Sequence, residues 1–188
     1  MTVYFIRHAM TKGNLLKKYI GRTDEILCDE GIAELKKHKY PHADIVFSSP
    51  MKRCIETARL IYPHISPITD NDLRECDFGS FEGKNYEELN GREDYQKWID
   101  SGGTLPFPEG ESREAFTDRC GNAFFRLLRG CCADTVVFVV HGGTIMSILS
   151  RLAVPSRDYY DLMCKNCCGY MCSFDKTNLT DVKEMDYL

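Results

Sequence analysis

Residues 135–143 read TVVFVVHGG, and this stretch decides the fold of the chain. Its first six residues are β-branched or aromatic, a composition typical of β-strands. A strand that is apolar on both faces favours the centre of a mostly parallel sheet, because helices cover both sides of such a sheet. The glycines after His141 permit a tight turn into a helix. The stretch therefore predicts a buried strand that carries a histidine at its carboxyl end.

Two shorter β-prone runs earlier in the chain repeat this arrangement. Residues 2–6 (TVYFI) lead directly into Arg7 and His8, and residues 44–47 (DIVF) lead into a helix that carries Arg53. Short runs of this kind are typical of buried strands. The sequence thus predicts three strands, each followed by a basic or imidazole side chain.

Apolar residues recur at helical spacing over residues 51–61, 116–128 and 145–152. Residues 170–174 and 179–185 flank a turn-forming DKTN segment, which predicts a closing hairpin. Strands that alternate with helices indicate an α/β domain. We therefore predict a three-layer α/β/α sandwich with a mostly parallel central sheet.

The length and charge of the chain limit the classes of protein that it can represent. Its 188 residues fit a single domain over residues 1–188. A net charge of -4 excludes a general nucleic-acid-binding protein, which usually carries a strongly basic face. No stretch approaches the roughly 18 apolar residues of a membrane span, and the first residues lack the apolar core of a secretory signal. We expect a cytoplasmic protein with no membrane partner and with its ten cysteines reduced.

The three strand ends define a candidate site, because ligands of open α/β sheets bind beyond the carboxyl ends of the strands. If the strands are parallel neighbours, the side chains that meet there are Arg7, His8, Arg53 and His141. Arginine offers a planar fork of donors that matches phosphate oxygens, and a neutral histidine can act as a covalent nucleophile. A helix that begins at Gly142 would add the amides of its first turn, which attract anions. This combination indicates phosphoryl transfer. The prediction holds only if the three strands are neighbours in the sheet, and the sequence does not determine the strand order.

Phosphoryl transfer to a nucleophile also needs an acid that protonates the leaving alkoxide, and a carboxyl group with a raised pKa can do this. Residues 73–83 (LRECDFGSFEG) place two candidate carboxyl groups in a segment with apolar neighbours. Glu75 is our first choice for the proton donor, and Asp77 is the reserve.

Five segments together resemble the motifs of the histidine phosphatase (phosphoglycerate mutase-like) superfamily. Residues 7–14 (RHAMTKGN) are similar to the family signature RHGxTxxN, and residues 48–58 (SSPMKRCIETA) are similar to SSPLxRxxxTA. Residues 73–83 resemble LxExxFGxWEG, and residues 140–143 (VHGG) resemble the terminal VxHGG. Residues 19–24 (YIGRTD) resemble the segment that follows the first motif. An RH dipeptide alone carries no weight, but five blocks in the family order are a specific signal.

The resemblance implies a phosphoglycerate mutase-like fold, a phosphohistidine intermediate, and neither a metal ion nor a cofactor. It implies roles for seven residues of this chain: the nucleophile His8, the proton donor Glu75, the phosphate ligands Arg7, Arg53 and His141, and the pocket residues Asn14 and Gly142. Two positions depart from the family pattern. Ala9 stands where the family has glycine and adds a methyl group that could narrow the floor of the phosphate pocket, and Phe81 stands where the family often has tryptophan.

The same family core serves phosphatases and mutases, and the spacing of the motifs favours a phosphatase. The stretch between Glu75 and His141 is too short for the added lid of the mutases, and residues 21–24 (GRTD) more resemble the α-ribazole phosphatases of cobalamin biosynthesis. We expect a hydrolase that acts on a small phosphorylated metabolite, with α-ribazole 5′-phosphate as one candidate. The alternatives are a phosphoglycerate mutase-type phosphotransferase and a non-catalytic module that binds a phosphorylated ligand.

Two further groups of residues have both a functional and a structural interpretation. Tyr86, Trp98 and Phe107 are candidates to contact a substrate ring, although aromatic side chains more often pack in the core. A second group, near the end of the chain, is formed by the cysteines Cys164, Cys167, Cys168 and Cys172. Zinc ligands usually come in two separated pairs, and only one C-x-x-C pair is present here. We therefore expect buried thiols, which pack as small apolar side chains.

Overall fold

A six-stranded sheet forms the centre of the structure, a computed structural model that describes residues 1–185. The strand order is β3-β2-β4-β1-β5-β6, in which the first four strands are mutually parallel, β5 runs antiparallel to β1, and β6 runs antiparallel to β5. The predicted mostly parallel sheet is therefore confirmed. The strands are β1 (Thr2–Arg7), β2 (Ile45–Ser48), β3 (Ile68–Thr69), β4 (Thr135–Val140), β5 (Gly169–Phe174) and β6 (Leu179–Glu184).

Helices connect the strands and include the three amphipathic segments that the sequence predicts. Short 3-10 turns cover Asn71–Leu73, Gly79–Phe81 and Tyr160–Leu162. The α-helices are α1 (Lys12–Leu15), α2 (Asp29–Leu35), α3 (Lys52–Ile61), α4 (Tyr86–Leu89), α5 (Glu93–Asp100), α6 (Arg113–Leu128) and α7 (Gly142–Leu152). Within residues 1–185, none of these helices is long and apolar enough to span a membrane.

Alternate side chains of the central strands pack into separate cores on the two faces of the sheet. On one face the rings of Phe5 and Phe138 stack with their centroids 5.3 Å apart, and Phe124 of α6 lies 5.4 Å from Phe138. On the other face Val139 packs in a cluster with Ala58 of α3. Because successive residues of a strand point to opposite faces, the apolar run of β4 fills both cores. The predicted three-layer α/β/α arrangement is confirmed.

The strand register brings the functional ends of β1, β2 and β4 to one level. Arg7 pairs with Val140 across the β1–β4 ladder, and the amide of His8 donates to the carbonyl of Val140 at 2.9 Å. Ser48 pairs with Val139 on the other side of β4. The three strands are thus parallel neighbours, which meets the condition on which the predicted site depends.

The end of the chain forms the predicted hairpin and covers the other side of β1. Strand β5 runs antiparallel to β1, and β6 pairs with β5. The sequence analysis did not predict β3. Its two residues, Ile68 and Thr69, are both exposed, so β3 shows no pattern of buried and polar positions from which a strand could be inferred.

Candidate active site

His8 lies at the end of β1, almost completely buried, in one defined tautomer. Its Nδ1 donates to the carbonyl oxygen of Ala9 at 2.7 Å. Because a carbonyl can only accept, the proton is on Nδ1 and the lone pair is on Nε2. Burial, Arg53 and Arg7 lower the pKa of His8 well below its usual value, so the ring is neutral near pH 7. A neutral imidazole with a free Nε2 lone pair is a competent nucleophile.

His141 follows β4 and faces His8 edge to face, with ring centroids 5.1 Å apart. Arg53 Nε donates to His141 Nδ1 at 3.3 Å, which places the ring proton on Nε2. That Nε2–H donates to Ser49 Oγ at 2.8 Å. Burial and the charge of Arg53 lower the pKa of His141. His141 is therefore a neutral hydrogen-bond donor beside the candidate nucleophile.

Arg53 is buried and is held between His141 and the loop over residues 20–23. Its Nη1 donates to the carbonyl of Thr23 at 2.8 Å, and its Nη2 donates to the carbonyl of Gly21 at 2.9 Å. The carboxylate of Glu82 accepts the amides of Gly21 and Thr23 from the other side of the same loop. Arg53 therefore supports this loop and His141 through its hydrogen bonds. Its direct binding of phosphate stays a prediction.

Arg7 presents an unused donor at the start of α7. Its Nη1 donates to the carbonyl of Cys164 at 2.6 Å, whereas its buried Nε has no hydrogen-bond partner among residues 1–185. A Cβ atom at Gly142 would lie 3.3 Å from that Nε, so the glycine leaves the guanidinium accessible from the helix terminus. A buried cationic N–H without a partner, beside helix amides, is a suitable place for an anion.

The carboxyl group of Glu75 reaches the same helix terminus from the loop after Leu73. Its Oε1 accepts the amide of Cys76 at 3.0 Å, and its Oε2 accepts the amide of Gly143 at 3.2 Å. Burial raises the pKa of Glu75, although the two amides and the arginines oppose that effect. A carboxyl group with a raised pKa can exchange protons with a substrate near neutral pH.

The reserve candidate, Asp77, has a different environment. Its Oδ1 accepts the amide of Gly79 at 2.9 Å, and its Oδ2 lies 3.3 Å from Nη1 of the exposed Arg22. These contacts tie Asp77 to a surface loop. The geometry thus favours Glu75, which lines the cavity next to Arg7, over Asp77.

A cavity of about 290 Å³ extends from Arg7, Glu75 and Gly142 towards the surface. Its wall is largely aromatic, and the ring of Trp98 stacks on that of Phe107 at 4.9 Å. The aromatic side chains that line it are Tyr19, Phe78, Trp98, Phe107, Phe116, Tyr159 and Tyr160. Tyr86, the third aromatic candidate from the sequence, is 52% exposed and lies outside this lining. The cavity can hold an apolar or aromatic group that is attached to a phosphate at its polar end.

Asn14 is connected to the site through a residue that the sequence analysis missed. Asn166 Nδ2 donates to the carbonyl of His8 at 2.9 Å and to Asn14 Oδ1 at 3.3 Å. Asn14 Oδ1 also accepts the amide of Thr11 in the cap of α1. Asn166 belongs to none of the five motifs and lies far from His8 in the chain, so no sequence signal marked it.

Thr57 joins helix α3, which carries Arg53, to the segment after β1 that carries His8. Its hydroxyl donates to the carbonyl of Arg53 at 2.6 Å and accepts the amide of Ala9 at 3.0 Å. The methyl group of Ala9 packs in a buried cluster with Leu27 and Leu35. Ala9 is fully buried, and the expected narrowing of the phosphate pocket by its methyl group stays a prediction.

The cysteine cluster near the end of the chain is structural in its contacts. Cys167 is buried in the same cluster as Ala9, and Cys172 of β5 is buried with its Sγ 3.5 Å from the carbonyl of Val3. Cys164 and Cys168 are partly buried, and none of the four forms a disulfide bond. In the described part of the chain, no group of three or more His, Cys, Asp or Glu side chains is arranged to hold a metal ion. The predicted burial is confirmed for Cys167 and Cys172.

Comparisons with known proteins agree with this geometry. The family model described as "Histidine phosphatase superfamily (branch 1)" matches residues 3–185. The chain is 32% identical over 175 residues to a 2,3-bisphosphoglycerate-dependent phosphoglycerate mutase of Rhizobium etli, covering 81% of this chain and 82% of that protein. It is 27% identical over 164 residues to an adenosylcobalamin/alpha-ribazole phosphatase of Salmonella typhimurium, covering 81% and 79% respectively.

A crystal structure of the alpha-ribazole phosphatase from Shigella flexneri superposes with a TM-score of 0.86. The superposition covers 98% of this chain and 96% of that chain, at 22% sequence identity. At this identity the likeness concerns the fold, and it agrees with the phosphoglycerate mutase-like architecture expected from the motifs.

Proposed function

The chain belongs to the histidine phosphatase superfamily, and on this premise we propose that it hydrolyses a small phosphomonoester through a phosphohistidine formed on His8. The observation that carries the proposal is the defined tautomer of His8, whose Nδ1–H is bound to the carbonyl of Ala9. That bond keeps the proton on Nδ1, so the lone pair of Nε2 is available for attack. His141, Arg7 and the start of α7 supply donors around the same position.

In the first step, the lone pair of His8 Nε2 attacks phosphorus and forms a P–N bond. The ester P–O bond breaks, and its electron pair leaves with the alkoxide oxygen. The carboxyl group of Glu75 gives its proton to that oxygen, so an alcohol departs and Glu75 becomes a carboxylate. Burial, which raises the pKa of Glu75, favours the protonated form that this step needs.

In the second step, a water molecule attacks phosphorus on the phosphohistidine. The Glu75 carboxylate accepts a proton from the water, the P–N bond breaks, and its electron pair returns to His8 Nε2. Inorganic phosphate leaves, and both residues are restored to their starting protonation states. Division into two displacements at one site lets a single carboxyl group act first as acid and then as base.

Charge on the transferring phosphoryl group is stabilised by donors that are fixed before the substrate binds. We assign this role to the free Nε of Arg7 and to the amide of Gly142, and also to the Nε2–H of His141, which must exchange its bond to Ser49 Oγ for one to a phosphate oxygen. Arg53 adds a buried positive charge behind His141. We further propose that these groups supply the positive charge without a metal ion, so activity should survive EDTA.

The aromatic cavity supports a substrate whose phosphate is attached to an apolar or aromatic group. α-Ribazole 5′-phosphate, an intermediate of cobalamin biosynthesis, has such a group, and proteins named alpha-ribazole phosphatases are among the relatives. We therefore infer that a ring-bearing phosphorylated metabolite is the substrate class. A phosphoglycerate mutase-type phosphotransferase is the second candidate function, favoured by the identity to the Rhizobium etli mutase.

Three measurements separate these functions. A phosphatase releases inorganic phosphate from α-ribazole 5′-phosphate or 1-naphthyl phosphate in the presence of EDTA. Quenching the reaction should also trap an acid-labile phosphohistidine that is absent from His8→Ala. A mutase interconverts 2- and 3-phosphoglycerate faster than it releases phosphate, and this result would overturn the proposal. Binding of phosphorylated ligands without turnover would point to a non-catalytic module. His42→Ala is the matched control, because His42 is exposed and pairs with Asp44 on the surface.

We also propose that the protein acts in the cytoplasm. None of the ten cysteines, all of which lie within residues 1–185, forms a disulfide bond, and cysteine-rich chains without disulfides are typical of reducing compartments. Cell fractionation with an antibody against the chain tests the location.

A further inference from the structure

Arg119 of α6 is bound along the loop that carries Glu75. Its Nη1 donates to the carbonyls of Asp72 at 2.9 Å and Arg74 at 2.8 Å, and its Nη2 donates to the carbonyl of Glu75 at 2.9 Å. The two remaining N–H groups donate to Glu111, from Nε at 2.7 Å and from Nη2 at 2.9 Å. All five donors of the guanidinium are therefore used, and three of them fix the main chain around Glu75.

Glu111 completes the clamp from the opposite side. Besides binding Arg119 in bidentate geometry, its Oε2 lies 3.4 Å from the amide of Asp77, two residues beyond Glu75. The side chains of Arg119 and Glu111 are 24% and 18% exposed, so solvent screens this pair only in part. The pair therefore holds carbonyls before Glu75 and an amide after it.

The carboxyl group of Glu75 itself is held by a different element. Gly143 at the start of α7 donates to Oε2, and a side chain at Gly143 would collide with Oε1. A small shift of the loop would thus either break the bond to Gly143 or press the carboxyl group against α7. The position of the acidic proton depends on where α6 fixes the loop.

We propose that Arg119, oriented by Glu111, is a positioning residue that sets the carboxyl group of Glu75 for proton transfer to the leaving group. This inference rests on the proposed function, because it needs Glu75 as the proton donor. Arg119 contacts neither His8 nor the phosphate position, and its effect passes through the main chain of residues 72–75. Its removal should therefore impair protonation of the leaving group and leave attack by His8 intact.

A lysine at position 119 tests the hydrogen-bonding geometry of the guanidinium separately from its positive charge. Lysine keeps the positive charge but offers a compact ammonium with three donors, which cannot replace the five donors of the planar guanidinium. Arg119→Lys is thus the primary variant, and Glu111→Gln is the second, since it keeps the side-chain size and removes the negative charge. Circular dichroism melting establishes that each variant is folded before kinetics are compared.

The experiment compares esters that differ in their need for an acid. General acid catalysis contributes most when the leaving group is a poor one, so Arg119→Lys should lower kcat/KM for 2-naphthylethyl phosphate about tenfold and for 4-nitrophenyl phosphate less than about threefold. We compare kcat/KM, because it reports the steps up to departure of the alcohol and not the second step, in which Glu75 acts as base on every ester. In a Glu75→Gln background, the Arg119→Lys change should cause no further loss on the alkyl ester, because its effect acts through Glu75.

Arg126→Lys is the matched control on the same helix. Arg126 also forms a bidentate ion pair, but with the side chain of Asp70, and it donates to the side chain of Asp72 at 2.8 Å. Within residues 1–185, its side-chain hydrogen bonds are to these carboxylates and not to the main chain around Glu75. This variant should keep the wild-type ratio of alkyl to aryl rates. Equal losses on both esters in folded Arg119→Lys, or additive losses with Glu75→Gln, overturn the inference. Absence of turnover in the wild type, or turnover that persists in His8→Ala, overturns the proposed function instead.

Discussion

The imidazole rings of His8 and His141 lie edge to face, with their planes 71° apart and their centroids 5.1 Å apart. They reach this position from neighbouring parallel strands, because the pairing of Arg7 with Val140 carries the next residue of each strand to the same level. Opposite tautomers are fixed on the two rings, one by a carbonyl acceptor and the other by a guanidinium donor. The Nε2 atom of His8 therefore carries a lone pair, whereas the Nε2 atom of His141 carries a proton.

The pH profile of the alkyl-ester reaction should be bell-shaped. His8 must be neutral to attack, and burial with two arginines puts its pKa well below 6.5, so the acid limb should lie below that value. Glu75 must be protonated to act as the acid, and burial raises its pKa above 4.5, so activity should fall again as the pH rises through that raised value. Steady-state kcat/KM from pH 4 to 9 tests this. A basic limb that persists unchanged in Glu75→Gln would assign it to another group.

In the Glu75→Gln variant, the stability of the protein should fall in mild acid. His8 and His141 have lowered pKa values in the folded state, so the unfolded chain binds more protons below about pH 6.5. Glu75, with a raised pKa, has the opposite dependence. In Glu75→Gln, the free energy of unfolding by urea should decrease by about 1–2 kcal/mol between pH 7 and pH 5.5. The same slope in Glu75→Gln/His8→Ala would show that His8 does not contribute.

Gly143→Ala should damage the site by crowding. A Cβ atom there would overlap Glu75 Oε1 and approach Phe116 Cε1 to 2.9 Å, so Glu75 must move. We expect a loss of about 1–3 kcal/mol in stability and a larger loss of turnover for alkyl than for aryl esters. Gly121→Ala in α6 is the control, because its Cβ meets only the flexible side chain of Arg151. Equal effects of the two substitutions on the ester ratio would argue against a tight fit at Gly143.

Trp98→Ala should reduce selectivity for ring-bearing substrates. The indole lines the cavity and stacks on Phe107, and an aromatic contact of this kind contributes about 0.5–1.5 kcal/mol beyond area burial. KM for 1-naphthyl phosphate should rise several-fold, while that for ethyl phosphate should hardly change. Tyr86→Ala, an exposed aromatic residue outside the cavity, should leave both constants near wild type. A parallel rise for ethyl phosphate would mean that Trp98 supports the fold rather than the substrate.

The sequence predicted the sheet best where side chains are buried on both faces. Residues 135–140 have no polar face, so their place in the middle of a covered sheet follows from composition. Strand order does not follow in this way, because the pairing of β1 with β4 joins segments that are far apart in the chain. The predicted proximity of His8 and His141 therefore depended on a strand order and register that the sequence does not contain.

Local sequence patterns indicated candidate site residues but not the hydrogen-bond partners of those residues. Arg53 was expected to bind phosphate, yet its Nη atoms are bound to the carbonyls of Gly21 and Thr23. Asn166 went unnoticed because its bond to the His8 carbonyl depends only on tertiary structure. Arg119 also belongs to none of the motifs, although its guanidinium N–H groups bind the main chain of the loop that carries Glu75. Side-chain partners depend on distances that a one-dimensional pattern does not contain.

The bond from Asn166 to the carbonyl of His8, and the pairing of β5 with β1, have a consequence for biosynthesis. The segment that secures the main chain of the candidate nucleophile is translated 158 residues after it. A nascent chain that is released before residue 166 would carry His8 without this support. Catalytic competence would then arise only after residue 166 has been translated, and fragments that end before it should lack activity.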